Sequence, residues 1–175
     1  MGLEYVDIFY HHRPDYDTPL WETMHALDSI VKSGKALYVG LSNYDGNRMK
    51  EASKILSDMG CPFVINQNRY SIFDRTVEKN GILNSAIARN KGMIIFSPLA
   101  QGLLTSRYLN GIPENSRVKT DGRFLKESSL SKETLEKINK LNEIAMKRGQ
   151  TLAQMALSWV YSHEGITSVL IGAST

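Results

Sequence analysis

The sequence predicts an α/β fold in which parallel strands alternate with helices. Short apolar runs begin near residues 5, 36, 63 and 92 and are separated by amphipathic stretches, and one strand–helix–strand step needs about 30 residues. Each run ends in polar residues, where ligand sites of parallel α/β folds collect. The pattern fits an open sheet or a (β/α)₈ barrel. No G-x-G-x-x-G follows any strand, so the dinucleotide fingerprint of the open fold is missing.

The first strand and helix show how each repeat is built. Tyr5–His12 is rich in aromatic and β-branched residues, which strands favour. Thr18 is predicted to cap the following helix, with Pro19 at its first position, where no backbone N–H is needed. The apolar residues of this helix recur at spacings of four, three and four up to Val31, so they share one face. Gly34 is predicted to end it.

The same pattern continues along the chain. Further strands are predicted at Ala36–Ser42, Phe63–Gln67, Gly92–Ser97 and Ser168–Ile171. Helices are predicted after Asp45 or Asn47, near Val77–Asn90, near Ser131–Arg148, and behind a capping box formed by Thr151 and Gln154. A long loop is predicted over residues 99–129. Together these elements make five strands joined by helices.

The composition is that of a folded globular protein. Apolar residues make up 42% of the 175 residues and charged residues 22%, as in ordinary domains. The formal net charge of +3 gives no argument for a nucleic-acid partner. No apolar run reaches the roughly 18 to 20 residues of a membrane span, and no signal peptide begins the chain. The single Cys61 excludes an internal disulfide and fits a reducing compartment. We therefore expect a cytoplasmic protein that binds neither nucleic acid nor membrane.

Polar residues stand where the five predicted strands end. These strand ends are His11-His12-Arg13, Ser42-Asn43, Asn66-Gln67-Asn68, Phe96-Ser97 and Gly172-Ala173-Ser174. Taken singly, such residues often cap helices or form turns, but five ends in register predict one ligand-binding mouth.

The paired histidines of the first strand end, His11 and His12, admit more than one interpretation. Neighbouring strand residues point to opposite faces, so one histidine should face the barrel axis and the other the helices. Either could be a structural histidine held by a hydrogen bond. A metal site is not predicted, because no Asp or Glu has ligand spacing.

The sequence resembles the aldo-keto reductases over nearly its whole length, in the branch of bacterial glyceraldehyde 3-phosphate reductases and potassium-channel β subunits. The resemblance rests on five motifs in order: YVDIFYHHRPD, GKALYVGLSNY, INQNRYS, IIFSPLAQGLLTSRYLNGIP and SVLIGAS. It implies a partial TIM (β/α)₈ barrel, with this chain corresponding to strands four to eight. Residues 1–175 would then form one aldo-keto reductase domain that is incomplete at both ends, because such a barrel takes about 250 residues.

The resemblance also implies a catalytic residue and a cofactor site. His12 would be the active-site histidine, which hydrogen-bonds the substrate carbonyl. The implied cofactor is NADPH. Its binding positions would be Ser42, Asn43 and Gln67 at the nicotinamide carboxamide, Phe96 stacked on the nicotinamide ring, Ser97, Pro98, Leu99 and Gln101 around the pyrophosphate, Arg107 and Arg117 near the pyrophosphate and adenosine, and Gly172 and Ser174 at the adenosine phosphate.

The sequence departs from the family at both of its ends. The catalytic tyrosine of the family, with its aspartate and lysine, precedes the strand that starts this chain, so none of the three can be assigned here. The chain also stops before the arginine that usually follows the Gly-Ala-Ser motif. Five strands cannot close an eight-stranded barrel, so two sheet edges and apolar faces would stand open. We therefore expect 175 residues alone to be poorly soluble, oligomeric or inactive.

Two functions follow from the resemblance. The first is NADPH-dependent reduction of aldehydes or ketones by hydride transfer, with small or phosphorylated aldehydes such as glyceraldehyde 3-phosphate as substrates. The sequence leaves open whether the protein forms a homo-oligomer. The alternative is a catalytically silent NADPH-binding module that regulates a partner, as a potassium-channel β subunit does. A barrel hydrolase that uses His11, His12 and a metal is the weakest interpretation.

Overall fold

Five parallel strands form one sheet in the computed structural model, which describes residues 2–114, 116–120, 125 and 127–172. The strands are β1 (Val6–His11), β2 (Ala36–Ser42), β3 (Phe63–Arg69), β4 (Gly92–Phe96) and β5 (Ile166–Val169). They lie in the sheet in chain order, and every neighbouring pair is parallel. A sheet without a reversal of strand order is a segment of a barrel rather than of a doubly wound sheet. The predicted fold class is confirmed.

Seven helices connect or flank the strands in the described part of the chain. They are α1 (Leu20–Lys32), α2 (Gly46–Asp58), α3 (Thr76–Lys79), α4 (Ile82–Ile87), α5 (Arg117–Thr120), α6 (Lys132–Lys147) and α7 (Leu152–Tyr161). The predicted loop over residues 99–129 is not free of helix, because it carries α5 and the 3₁₀ turns Ala100–Gly102, Ser106–Tyr108 and Glu127–Leu130. Among the described helices, none has the length and apolar character needed to cross a membrane.

Helix caps follow the sequence at two of the three predicted places. The Asp45 carboxylate accepts from the Arg48 backbone N–H at 2.9 Å and caps α2. Thr151 and Gln154 form the predicted capping box of α7. The prediction for α1 was wrong by one residue, since Pro19 is the N-cap and makes no side-chain cap. The Thr18 hydroxyl instead donates to the Asp15 carboxylate at 2.7 Å, which satisfies it within the preceding turn.

The helix predicted near Val77–Asn90 is broken into α3 and α4. Gly81 lies between them in a left-handed conformation, with φ of 75°. The break brings Gly81 against the start of α2, where a Cβ on Gly46 would lie 2.5 Å from the Gly81 carbonyl carbon and oxygen. This close backbone contact requires glycine at Gly46, and it joins α2 to the α3–α4 pair.

Four strands differ from the sequence prediction in their bounds: β1 is shorter by one residue at each end and β4 by one residue at its end, while β3 and β5 differ by two residues. Strand β3 continues two residues further, because Asn68 and Arg69 still pair with Ile95 and Phe96 of β4. Strand β5 begins two residues earlier and ends two earlier. Thr167 lies within β5, and its hydroxyl accepts a hydrogen bond from the Met93 N–H of β4 at 3.2 Å.

The main core lies between the sheet and its helices. Side chains of β2, β3 and β4 that face the helices are fully or almost fully buried there: Val39, Leu41, Phe63, Met93 and Ile95. On the opposite face, Tyr10 packs across Gly40, where a Cβ would lie 2.5 Å from the tyrosine ring. Tyr38, which shares this face, remains 44% exposed. The helices therefore cover one face of the sheet.

Candidate active site

The ends of β2, β3 and β4 bring four predicted cofactor positions to one edge of the sheet. Ser42 and Gln67 are register neighbours, and the Asn43 N–H donates to the Gln67 carbonyl at 2.9 Å. Phe96 is the last residue of β4, the strand beside Gln67. Ser42, Asn43, Gln67 and Phe96 therefore follow one another along the edge, as an extended ligand would require.

Asn43 connects the ends of the first two strands. Its backbone is left-handed, with φ of 61°, a conformation that asparagine tolerates better than most residues. The side-chain amide donates to the His12 carbonyl at 2.9 Å and to the Ser42 hydroxyl at 3.0 Å. Asn43 therefore fixes the backbone of His12 relative to β2.

The two histidines differ in their surroundings. His11 is half-buried and its Nδ1 lies 2.9 Å from the Tyr44 hydroxyl on the helix side of the sheet. Burial lowers the pKa of His11 and raises the pKa of the buried Tyr44 to about 12, so both are neutral at pH 7. His12 lies just beyond β1 with an exposed side chain, which leaves its imidazole available to a ligand. Within the described residues, no group of three His, Cys, Asp or Glu side chains could hold a metal ion.

A cavity of about 760 Å³ opens at this edge of the sheet. Four predicted cofactor positions line it: Asn43, Phe96, Ser97 and Gln101. Three charged residues that the sequence analysis did not assign also line it: Arg13, Arg69 and Asp74. The cavity therefore combines predicted cofactor positions with a cluster of charge.

A second cavity, of about 430 Å³, adjoins the first. Ser97 and Gln101 line both cavities, so the two form one groove. The second contains six predicted cofactor positions: Ser97, Pro98, Leu99, Gln101, Arg107 and Gly172. The structure thus brings most of the predicted binding residues to one groove, although their individual roles stay predictions.

The loop after β4 has an unusual backbone that shapes this groove. Ser97, Ala100 and Gln101 have φ of 54°, 47° and 60°, and Gly102 follows with φ of 101°. Such left-handed residues are rare outside glycine and concentrate at ligand-binding sites. The Gln101 Oε1 is buried without a hydrogen-bond partner. A buried acceptor that lacks a donor is costly, and a ligand N–H or O–H would satisfy it.

Four predicted cofactor positions are not among the described residues that line the groove. Ser42 and Gln67 lie near the ends of β2 and β3 but line neither cavity. Arg117 belongs to α5, but its side chain is outside what the structure describes. Ser174 lies outside the described residues altogether.

The sequence analysis missed a cluster of polar and aromatic side chains around the buried Tyr70. Tyr70, which follows β3, is fully buried and its hydroxyl donates to Glu78 at 2.6 Å. Arg75 donates twice to the same carboxylate, at 2.7 and 2.6 Å, and lies over the Trp159 ring. These hydrogen bonds, those from Arg75 above all, lower the pKa of Glu78 to about 2. The local sequence signal for this cluster is the RYSIFDR segment, which begins at the last residue of β3 and contains Tyr70 and Arg75. Trp159 lies too far away in sequence to be linked to it.

Comparison with known proteins places these features in a family context. The model described as "Aldo/keto reductase family" matches residues 1–175. Over 177 residues the chain is 50% identical to an L-glyceraldehyde 3-phosphate reductase of Escherichia coli O157:H7 and 49% identical to that of strain K12. Each alignment covers 99% of this chain and 51% of the relative.

The names of two more distant matches indicate different functions. A probable voltage-gated potassium channel subunit beta of Oryza sativa subsp. japonica is 35% identical over 178 residues, which are 99% of this chain and 54% of that protein. The solved structure of a glycerol dehydrogenase from Gluconobacter oxydans matches 95% of this chain and 49% of its own, with a TM-score of 0.75 and 25% identity. The chain therefore spans about half the length of the curated relatives it matches.

Proposed function

This chain belongs to the aldo/keto reductase family, and we propose that it carries the cofactor-binding part of an NADPH-dependent reductase of aldehydes or ketones. Small or phosphorylated aldehydes are the proposed substrates, and the cytoplasm is the proposed location. The observation that carries the proposal is the continuous groove along the strand ends, lined by Asn43, Phe96, Ser97, Gln101 and Arg107. The 50% identity to a reductase supports it.

The predicted cofactor positions at this edge of the sheet fit NADPH in their chemistry. Ser42, Asn43 and Gln67 offer amide and hydroxyl groups for the carboxamide. Phe96 offers an aromatic ring to the nicotinamide. Arg107 reaches the second cavity, where a guanidinium would bind phosphate oxygens. Gln101 lines both cavities, and its buried Oε1 has no hydrogen-bond partner, so a donor of the cofactor could satisfy it.

His12 is proposed to orient the substrate carbonyl. When bound, NADPH supplies a hydride to the carbonyl carbon and becomes NADP⁺, while the carbonyl oxygen takes up a proton. The exposed imidazole of His12 would hydrogen-bond that oxygen, and Asn43 holds the His12 backbone in place at 2.9 Å. The residue that supplies this proton is not assigned among the residues of the groove.

Substitution of His12 tests the proposal on the full-length protein. NADPH oxidation, followed at 340 nm with glyceraldehyde, should lose about a hundredfold or more in kcat in His12→Gln, because the carbonyl loses its positioned donor. NADPH affinity, measured by fluorescence, should stay the same, since His12 is not among the cofactor positions. His25→Gln on α1 is the matched control and should keep full activity.

The same assay distinguishes the reductase from the alternative function. The 35% identity to a channel subunit supports a silent NADPH-binding regulator. Tight NADPH binding by the wild type with no turnover of any aldehyde or ketone would favour the regulator and contradict the reductase. Full activity in the presence of a chelator would dismiss a metal-dependent hydrolase.

A further inference from the structure

We propose that Arg13 and Arg69 bind the phosphate group of a small phosphorylated aldehyde in the 760 Å³ cavity, and so determine substrate specificity. This inference rests on the proposed reductase function, because it places the phosphate of the substrate at Arg13, the residue that follows His12 in the chain. It assigns a role to two residues that belong to none of the predicted cofactor positions.

Arg13 is a guanidinium without a protein partner in the described part of the chain. It follows His12 at the end of β1 and lines the cavity. No hydrogen bond or ion pair joins its side chain to another described residue. An arginine that the protein leaves unpaired at the mouth of a cavity is suited to bidentate binding of a phosphate.

Arg69 is held in place by an acid but keeps donors to spare. Its Nε donates to the Asp74 carboxylate at 2.6 Å. Within the described residues, its two terminal nitrogens make no hydrogen bond. The ion pair therefore fixes the orientation of the Arg69 side chain and leaves its terminal N–H groups for a second anion. With two arginines and one aspartate, the charged lining of the cavity is net positive.

The loop that carries Arg13 is anchored to α2. Arg48 donates from a terminal nitrogen to the Asp15 carbonyl at 2.7 Å, and its guanidinium lies 4.6 Å from the centre of the Tyr16 ring. Tyr16 also lines the cavity. A binding residue on an anchored loop loses less conformational entropy on ligand binding.

The ratio of kcat/KM for glyceraldehyde 3-phosphate to that for glyceraldehyde tests the inference in the full-length protein. We expect Arg13→Gln to lower this ratio by about tenfold or more, because a charge-assisted hydrogen bond to phosphate is lost. Arg69→Gln should lower the ratio as well. Arg13→Lys should have a higher ratio than Arg13→Gln, since lysine keeps the positive charge but cannot form the bidentate hydrogen bonds of a guanidinium. Arg89→Gln, at the far end of α4, is the control and should leave the ratio unchanged.

Three results would overturn the inference. They are an unchanged ratio in Arg13→Gln and Arg69→Gln, an equal loss with both substrates, or a loss of NADPH affinity that explains the effect. If the wild type reduces neither aldehyde, the proposed function fails, and calorimetry with glycerol 3-phosphate then decides the inference alone. The phosphate site would be supported if the wild type binds glycerol 3-phosphate but not glycerol, and if Arg13→Gln loses this binding. Absent or unchanged binding would reject it.

Discussion

His11 and Tyr44 show how one hydrogen bond separates two adjacent histidines. The imidazole of His11 meets the Tyr44 hydroxyl at 2.9 Å, whereas His12 lies beyond β1 and is exposed. Strand alternation predicted different surroundings for the two residues, but the sequence could not say which histidine had the buried partner. Tyr44 belongs to the next strand–helix unit, so only the fold reveals the pair.

We expect Tyr44→Phe to lower the free energy of unfolding by about 1 kcal/mol, because a half-buried imidazole nitrogen loses its partner. Urea unfolding at pH 7 measures this. Tyr161→Phe is the control, since Tyr161 is 55% exposed, and it should have little effect. Equal stability of Tyr44→Phe and the wild type would contradict the role of this bond.

Acid should destabilise the protein through His11 as well. Its folded pKa lies below the ordinary value of 6.5 because of burial, so the unfolded chain binds the proton more tightly. The stability that depends on neutral His11 is complete above about pH 6.5 and falls as the pH drops below it. NMR titration of the His11 ring should give a midpoint below 6.5, and a midpoint at or above that value would refute the assignment.

At the scale of elements, local signals succeeded where the element depends on its own sequence. Strand β2 and the caps of α2 and α7 follow directly from residues such as Asp45 and Thr151. The break between α3 and α4 did not, because it depends on contact with Gly46, which lies in another element. The extra residues of β3 likewise depend on the backbone of β4.

Gly46→Ala should destabilise the protein by about 1 to 3 kcal/mol, because the new methyl group would lie 2.5 Å from backbone atoms of Gly81 that cannot move freely. Thermal or urea unfolding tests this change. Gly172→Ala is a matched control for stability, since nothing lies within 4 Å of its Cβ position. A Gly46→Ala protein as stable as the wild type would show that the two helices can separate at little cost.

At the scale of the whole molecule, the sequence predicted the parallel sheet and most of the groove. Repeated strand–helix spacing is a local property, and the polar strand ends meet because parallel strands share one carboxyl edge. The phosphate-binding role proposed for Arg13 and Arg69 and the Tyr70 cluster were not predicted. Arg69 is significant only beside Asp74 and the cavity, and Glu78 only beside Arg75, Tyr70 and the distant α7.

The Glu78 cluster should make the stability of the whole molecule depend on acid pH. Its folded pKa of about 2 lies below the ordinary 4.5, so its contribution is complete above about pH 4.5 and is lost as the pH falls towards 2. Glu78→Gln should therefore be less stable than the wild type at pH 7, with a smaller difference at pH 3.5. Urea unfolding at both pH values measures it. Glu133→Gln, which breaks an exposed pair with Lys137, should change little at either pH.

The strand order also has a kinetic consequence. Strands β1 to β4 each pair with a neighbour about 30 residues away, whereas Met93 of β4 pairs with Ile166 of β5, about 70 residues away. Closing that longer loop costs more chain entropy, by about 0.6 kcal/mol for each doubling of length. During synthesis the first four strands can therefore assemble in order as they emerge, and β5 docks last. Leu170, Ile171 and Gly172 line the second cavity, so this part of the groove is completed only after β5 has docked, at the end of folding.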